Sequence, residues 1–229
     1  MSIRILFMFF ITILASCSSD EIITKEKNEY VGIFRNVIRN SFPDKNNLIK
    51  PEVPKKTSQW LSSFKQPVIL ISSLDDKNQA TLVALGNNEE KLTWVSSDGI
   101  SLTFDQGVLI ATRGYSQDLL ALKYLNPLDL FNSKNIEYKK VHRYLTGDNK
   151  YNDVDFQCLG KRGQSKPVMF LEYKINMDKF IEDCVNDQHS YKNEYYLLSG
   201  TSVVIKSKQW ISPTNKYFKT YNFYAFQKL

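Results

Sequence analysis

The chemistry of this 229-residue chain is most legible at its three cysteines, Cys17, Cys158 and Cys184. Cys17 closes the run Leu14-Ala15-Ser16-Cys17. A thiol directly behind such a small-residue cleavage site is the acceptor for a diacylglycerol, and the amine freed by cleavage is then acylated. Two or three acyl chains on one residue make a stable membrane anchor where a single chain is marginal. The preceding residues fit this reading: one charge, Arg4, then an apolar stretch from Ile5 to Leu14 broken only by Thr12. That stretch has the length of a signal core and falls short of the roughly 20 apolar residues that span a bilayer. Residues 1–16 therefore read as a lipoprotein signal peptide and Cys17 as the lipidated first mature residue. Ser18 and Ser19 follow it in place of an Asp, which favours outer-membrane sorting.

With Cys17 acylated, Cys158 and Cys184 are left as the pair for an oxidising compartment, and they are expected to form a disulfide. Closing that loop is worth about 3.5 kcal/mol in the chain-entropy account. The spacing is not the C-x-x-C of a catalytic dithiol. His142 and His189 lie far apart, without acidic or cysteine partners at ligand spacing, so neither a zinc site nor histidine catalysis is expected. Asp75-Asp76, Asp153 with Asp155, and Glu182-Asp183 read as solvated acids near turns and strand ends rather than as glycosidase carboxylates. No G-x-S-x-G, phosphate-cradling glycine loop, H-E-x-x-H or G-x-G-x-x-G occurs. The chain thus reads as a non-enzyme without metal or cofactor. Tyr and Trp stack on sugar rings and donate a hydrogen bond. They fill cores as well, and against that competing use Trp94, Arg113 and Trp210 are the candidate glycan-binding residues.

These groups need a scaffold. The 213 residues after the signal suit one domain. Net charge falls from +6 to +5 when Arg4 is removed, and the basic residues are scattered, so nucleic-acid binding is not expected. Residues 17–29 read as a polar tether and 30–229 as a single β-rich domain. Tyr30, Val31, Ile33, Phe34, Val37, Ile38 and Phe42 recur at helical spacing and predict a helix ending before Pro43. From Pro67 onward short runs rich in β-branched and aromatic residues predict strands at Val68 to Ser72, Ala80 to Leu85, Leu92 to Ser96, Ile100 to Phe104 and Val108 to Thr112. A two-residue turn at Asp98-Gly99 would set Val95 opposite Leu102 and leave Trp94 on the polar face beside Thr103. Ser116 to Tyr124 predicts a short helix stopped by Pro127. Strands resume at Tyr138 to Thr146, Val154 to Leu159 and Val168 to Ile175. Asp178 to Val185 stays open between strand and helix, and strands at Tyr195 to Leu198, Ser202 to Ser207 and Tyr221 to Gln227 close the chain. The expected fold is mainly β, an antiparallel β-sandwich or curled barrel-like sheet with an N-terminal helix and short accessory helices.

Two stretches carry a resemblance. Leu92 to Gly99 with Gly107 to Leu119 resembles the "W-x-S-x-D-G … G-x-L-[IV]-x-T-x-G-x-x-x-D-L" core of the YjbF/GfcB lipoprotein family. Asn193-Glu194-Tyr195-Tyr196 with Ser207 to Pro213 is similar to that family's closing "N-x-Y-[WY] … S-x-Q-x-[IV]-x-P". The family tends to carry Trp at the place of Tyr196 and Arg at that of Val108. The resemblance implies an outer-membrane lipoprotein encoded with capsule or exopolysaccharide secretion genes, mostly antiparallel β, with no established catalytic group. The resulting expectation is a periplasm-facing, non-catalytic scaffold that assists polysaccharide export or surface assembly. Its partners would be the outer membrane and an outer-membrane polysaccharide secretion protein. Direct binding of the polysaccharide and a lipid-carrying β half-barrel are the alternatives.

Overall fold

The computed structural model of the chain describes residues 59–228, apart from positions 60, 65, 77, 89–90 and 147–149. Cys17, the tether at 17–29 and the helix read over Tyr30 to Phe42 lie outside the described residues.

Among the described residues, alternation of buried and exposed side chains builds twelve antiparallel strands into one sheet. Five strands come first: β1 (Val68–Ser72), β2 (Gln79–Asn88), β3 (Lys91–Ser96), β4 (Ser101–Asp105) and β5 (Val108–Arg113). They are followed by β6 (Leu119–Lys123), helix α1 (Pro127–Asn132), β7 (Asn135–Leu145), β8 (Tyr151–Phe170) and β9 (Tyr173–Val185). The chain ends with β10 (Ser190–Leu198), β11 (Val204–Ser212), β12 (Lys216–Tyr221) and helix α2 (Phe223–Phe226). The order β5-β4-β3-β2-β1-β12-β11-β10-β9-β8-β7-β6 is an up-and-down meander closed by pairing of β1 with β12, Leu70 opposite Tyr221. Among the described residues, the sequential strands without a ladder are β5 and β6, so the sheet is a nearly closed barrel with a seam between them.

Side chains stitch that seam. The Thr112 hydroxyl donates to Asp118 (2.8 Å) and accepts from the Leu119 N–H (2.9 Å). Asp118 also receives the N–H groups of Gly114 and Tyr115. Arg113 donates to the carbonyls of Thr112 and Leu119. Burial, then the charges of Asp98 and Asp118, push the Tyr115 phenol up to about 12. From inside the barrel, Gln209 on β11 serves the β5 edge: it accepts from Leu109 N–H and donates to Gly107 O, each at 2.8 Å. A Cβ on Gly107 would stand 2.5 Å from Val204 Cβ, so only glycine lets this turn rest on β11. The exposed edges that a curled sheet must protect are thereby occupied.

Several expectations change. The run Val168 to Ile175 is divided by the β8–β9 turn at Leu171 and Glu172, and Tyr221 to Gln227 is the end of β12 followed by helix α2 rather than a strand. The β3–β4 loop holds three residues, not two: Trp94 lies opposite Leu102 and Val95 opposite Ser101. A three-residue loop ending on a left-handed Gly99 is the next most common hairpin solution. The one-residue shift turns Trp94 inward, where it packs with Leu102, Phe104 and Leu109. The stretch read as a helix from Ser116 to Tyr124 is strand β6 instead, because pairing with β7 and the bond from Leu119 to Thr112 outweigh local propensity. Pro127 opens helix α1 rather than stopping one, with Asn126 capping the Leu128 N–H. Asp178 to Val185, left open above, is strand.

Candidate functional site

The inner face of β7 to β10 is where the ionisable groups collect. Lys140 and Glu182 are 2% and 0% exposed, and the Lys140 ammonium bonds both carboxylate oxygens at 2.7 and 2.8 Å. Glu182 also accepts from Asn193 Nδ2 (2.7 Å) and from the hydroxyls of Tyr138 and Tyr195. Burial, then the Glu182 charge, raise the pKa of both tyrosines, so they stay protonated and donate. Asn193 Oδ1 in turn accepts the Trp210 N–H at 2.7 Å, where β11 has parted from β10. An ion pair this deep persists only with such complete hydrogen bonding.

His142 extends the array. Tyr144 gives its proton to the Ile211 carbonyl (3.0 Å), so at Nδ1 the imidazole must donate to Tyr144, and at Nε2 it must accept from Tyr191, both at 2.9 Å. Burial, then the Lys140 charge, hold His142 well below its ordinary 6.5, consistent with that neutral tautomer. Around it Phe156, Tyr191 and Trp210 form an aromatic cage, with Tyr191 stacked on Trp210 at 4.5 Å. Cys158 and Cys184, opposite one another on β8 and β9, are disulfide-bonded. Among the described residues, the metal-ligand types that cluster are these two sulfurs and Glu182. The sulfurs bond each other and the carboxylate is held by Lys140, so the group offers no free ligand set.

Glu182, a solvated acid by its place in the sequence, is instead the centre of the interior. Its parity could have revealed it: Glu182 stands two residues before Cys184, so on a strand whose cysteine faces inward it faces inward too. Asp183 points out and pairs with Lys192 at 3.1 Å. The other acids are surface groups as read: Asp153 pairs with Arg143, Asp155 with Lys139 and Asp76 with Lys219.

The three candidate glycan residues do not form one surface. Trp210 is 5% exposed inside the aromatic cage, Trp94 is 2% exposed on the inner face of β3, and Arg113 is spent on the seam. Buried rings cannot stack on an external sugar, which corrects the expectation for both tryptophans. The motif residues behind the resemblance also prove architectural. Thr112, Gly114, Asp118 and Leu119 stitch the seam, Ser96 and Asp98 bond within the β3–β4 turn, and Asn193 and Gln209 tie β10, β11 and β5.

Two other features face outward. At the barrel end formed by the start of β3, the end of β4 and the start of β11 lies a pocket of about 290 Å³, walled by Ile69, Leu92, Trp94, Phe104, Val204 and Ala225. Its rim carries Leu128 and Val203, 44% and 42% exposed. On the outer face of β9 to β12, the rows Lys179–Tyr196–Lys206–Tyr221 and Glu194–Lys208–Lys219 run across the strands. Lys179 is bonded to Glu194 (2.8 Å) and Lys219 to Asp76 (2.7 Å). Lys206 and Lys208 lie over tyrosine rings instead, Lys208 4.6 Å from the Tyr217 centroid. Burial, then the charge of Lys219, lower the Lys206 pKa.

No curated protein matches the chain in sequence. The crystal structure of the hypothetical lipoprotein YmcC from Escherichia coli K12 superposes with a TM-score of 0.63 at 13% identity, covering 77% of this chain and 89% of that one. At that identity the likeness is one of fold. The sequence model of the family described as "Group 4 capsule polysaccharide lipoprotein gfcB, YjbF" matches residues 45–221. That match spans most of the chain, including the seam-stitching turn and the Asn193 and Gln209 ties, and the chain therefore belongs to the YjbF family of group 4 capsule polysaccharide lipoproteins.

Proposed function

We propose that this lipoprotein is held at the outer membrane by Cys17, facing the periplasm, and assists export or surface assembly of a capsule-type polysaccharide as a non-catalytic scaffold. The observation that carries the reading is the state of the interior. Each of the fully buried ionisable groups Lys140, His142 and Glu182 is committed to a neighbour within the barrel, so none is turned toward a substrate. The edges β5 and β6 are occupied by side chains, which directs docking of a secretion partner to the outer faces rather than to strand addition. Restriction to the membrane surface raises the effective concentration near such a partner without a new contact. The test is polysaccharide at the surface and in the periplasm of a strain lacking the chain, against parent and complemented strains. Loss at the surface with accumulation inside supports the reading. Unchanged distribution while the polymer is being made refutes it, as does full complementation by Cys17→Ala.

The outer Lys–Tyr rows favour a second reading, direct contact with an acidic polymer, since tyrosine rings stack on sugars and Lys206 and Lys208 have no carboxylate partner among the described residues. Titration of the full-length protein with polygalacturonate, and with dextran as neutral control, decides it. Saturable binding of the first that is lost in Lys206→Glu with Lys208→Glu supports this reading, and binding of neither polymer removes it.

A further inference from the structure

The geometry points to a binding site for one alkyl chain with an anionic end in the pocket at the end of the barrel. Its walls come from distant parts of the chain, Leu92, Trp94 and Phe104 on β3 and β4 with Val204 on β11 and Ala225 on α2. At about 290 Å³ the space sits at the lower bound of the roughly 300–1,000 Å³ of small-molecule pockets, room for one chain rather than a two-chain lipid body.

Three of the polar side chains that line it are already in use, Thr220 through its bond with Ser207. Ser202 donates to Asn132 (2.7 Å), and Asn222 donates to the Val204 carbonyl and accepts the Ala225 N–H. A water inside would find few of the two to four partners it needs. Among the described residues no carboxylate lines the pocket, and its single cation is Lys228, with Nζ 4.0 Å from the Tyr224 ring centroid. Exposed Leu128 and Val203 continue the apolar wall out to the rim. A ligand that is apolar along its length and negative at its end matches this arrangement. The chain's own apolar stripe from Tyr30 to Phe42 is a poorer occupant, because it carries Arg35 and Arg39 and no acid. A lipid anchor at Cys17 would hold the pocket beside a surface rich in acyl chains, while the site itself stands independently of the polysaccharide reading.

The test uses the full-length lipidated protein in phosphatidylcholine nanodiscs. One arm receives photoreactive dodecanoate, the other photoreactive phosphatidylglycerol built into the disc, and labelled peptides are mapped by mass spectrometry. Saturable labelling confined to the lining positions 69, 92–107, 128 and 202–228, and competed by plain dodecanoate, is expected, and the arm that labels identifies the source of the chain. Ala225→Trp, which fills the pocket, should cut labelling ~10-fold. Lys228→Glu should cut it ~3-fold for the carboxylate and leave a photoreactive dodecanol unaffected. Absence of saturable label in both arms, or labelling indifferent to Ala225→Trp in a protein of unchanged melting temperature, overturns the inference. So does a crosslink joining residues 30–42 to 203–228 in place of the label. Polysaccharide distribution plays no part in this readout, so its outcome and that of the export test are separable.

Discussion

Two stretches of the same barrel interior treat polarity in opposite ways. Between β7 and β10 the chain buries a lysine, a glutamate, a histidine and several tyrosines and joins them to one another by hydrogen bonds. Between β3, β4, β11 and α2 it leaves apolar space open at a rim. The first resembles an active site in composition, but its charged groups are buried and paired with one another; the second has no carboxylate among the described residues and opens at a rim. Reactive residue types therefore mark the frame of this molecule, and a site for ligands is marked by the space they leave unfilled.

The largest loss of stability is expected at Glu182. Glu182→Ala strands the Lys140 charge in the core and should cost about 3–5 kcal/mol in chemical denaturation, whereas Lys140→Met with Glu182→Gln removes both charges, keeps an acceptor for Asn193, Tyr138 and Tyr195, and should cost clearly less. A single and a double variant of equal cost would show that the ion pair is not held in place by desolvation. Cys158→Ser with Cys184→Ser comes next, with an expected loss of about 3.5 kcal/mol in the same experiment.

His142 supplies a smaller, pH-dependent effect. Its folded pKa is depressed, so below about 6.5 the unfolded chain binds a proton that the folded chain refuses, and stability falls on acidification by up to about 1.4 kcal/mol per pH unit. The window from pH 6.5 to 5 isolates this group, because Asp178 and Glu194 titrate lower still. For Asp178 burial acts upward but is outweighed by Arg162 and the Gly200 N–H; for Glu194 it is outweighed by Lys179 and Tyr196. Their contribution is present above about pH 4.5 and is lost only below it. His142→Gln should flatten the profile of melting temperature against pH across that window, and an unchanged slope would assign it elsewhere. At the rim the effect should nearly vanish: Leu128→Ser is expected to alter stability by under ~0.5 kcal/mol.

Much of the barrel was legible because strand periodicity survives local noise. Val68 to Ser72 was bounded correctly, and Cys158 and Cys184 were the pair available to each other. What escaped depends on counts of one residue or on distant partners. Asp98-Gly99 marks a turn, but nothing local distinguishes a two-residue from a three-residue loop, and that choice carries Trp94 from one face to the other. Leu119, Leu120 and Leu122 suit a helix until β7 arrives to pair with them. The pocket had no local signature, since its walls come from strands more than 100 residues apart. Glu182 was within reach through its parity with Cys184, while its partners Lys140 and Asn193 required the order of the strands.

The most direct test complements a strain lacking the chain with two variants that leave the barrel folded. Lys140→Met with Glu182→Gln erases the buried charges and keeps an acceptor for Asn193, Tyr138 and Tyr195, and Cys17→Ala removes the lipid acceptor. If the charges are frame and the anchor is what places the scaffold, the first should restore surface polysaccharide to the parental level and the second should not. Restoration by the anchor-free protein, with failure of the charge-free one at equal abundance, would contradict the account.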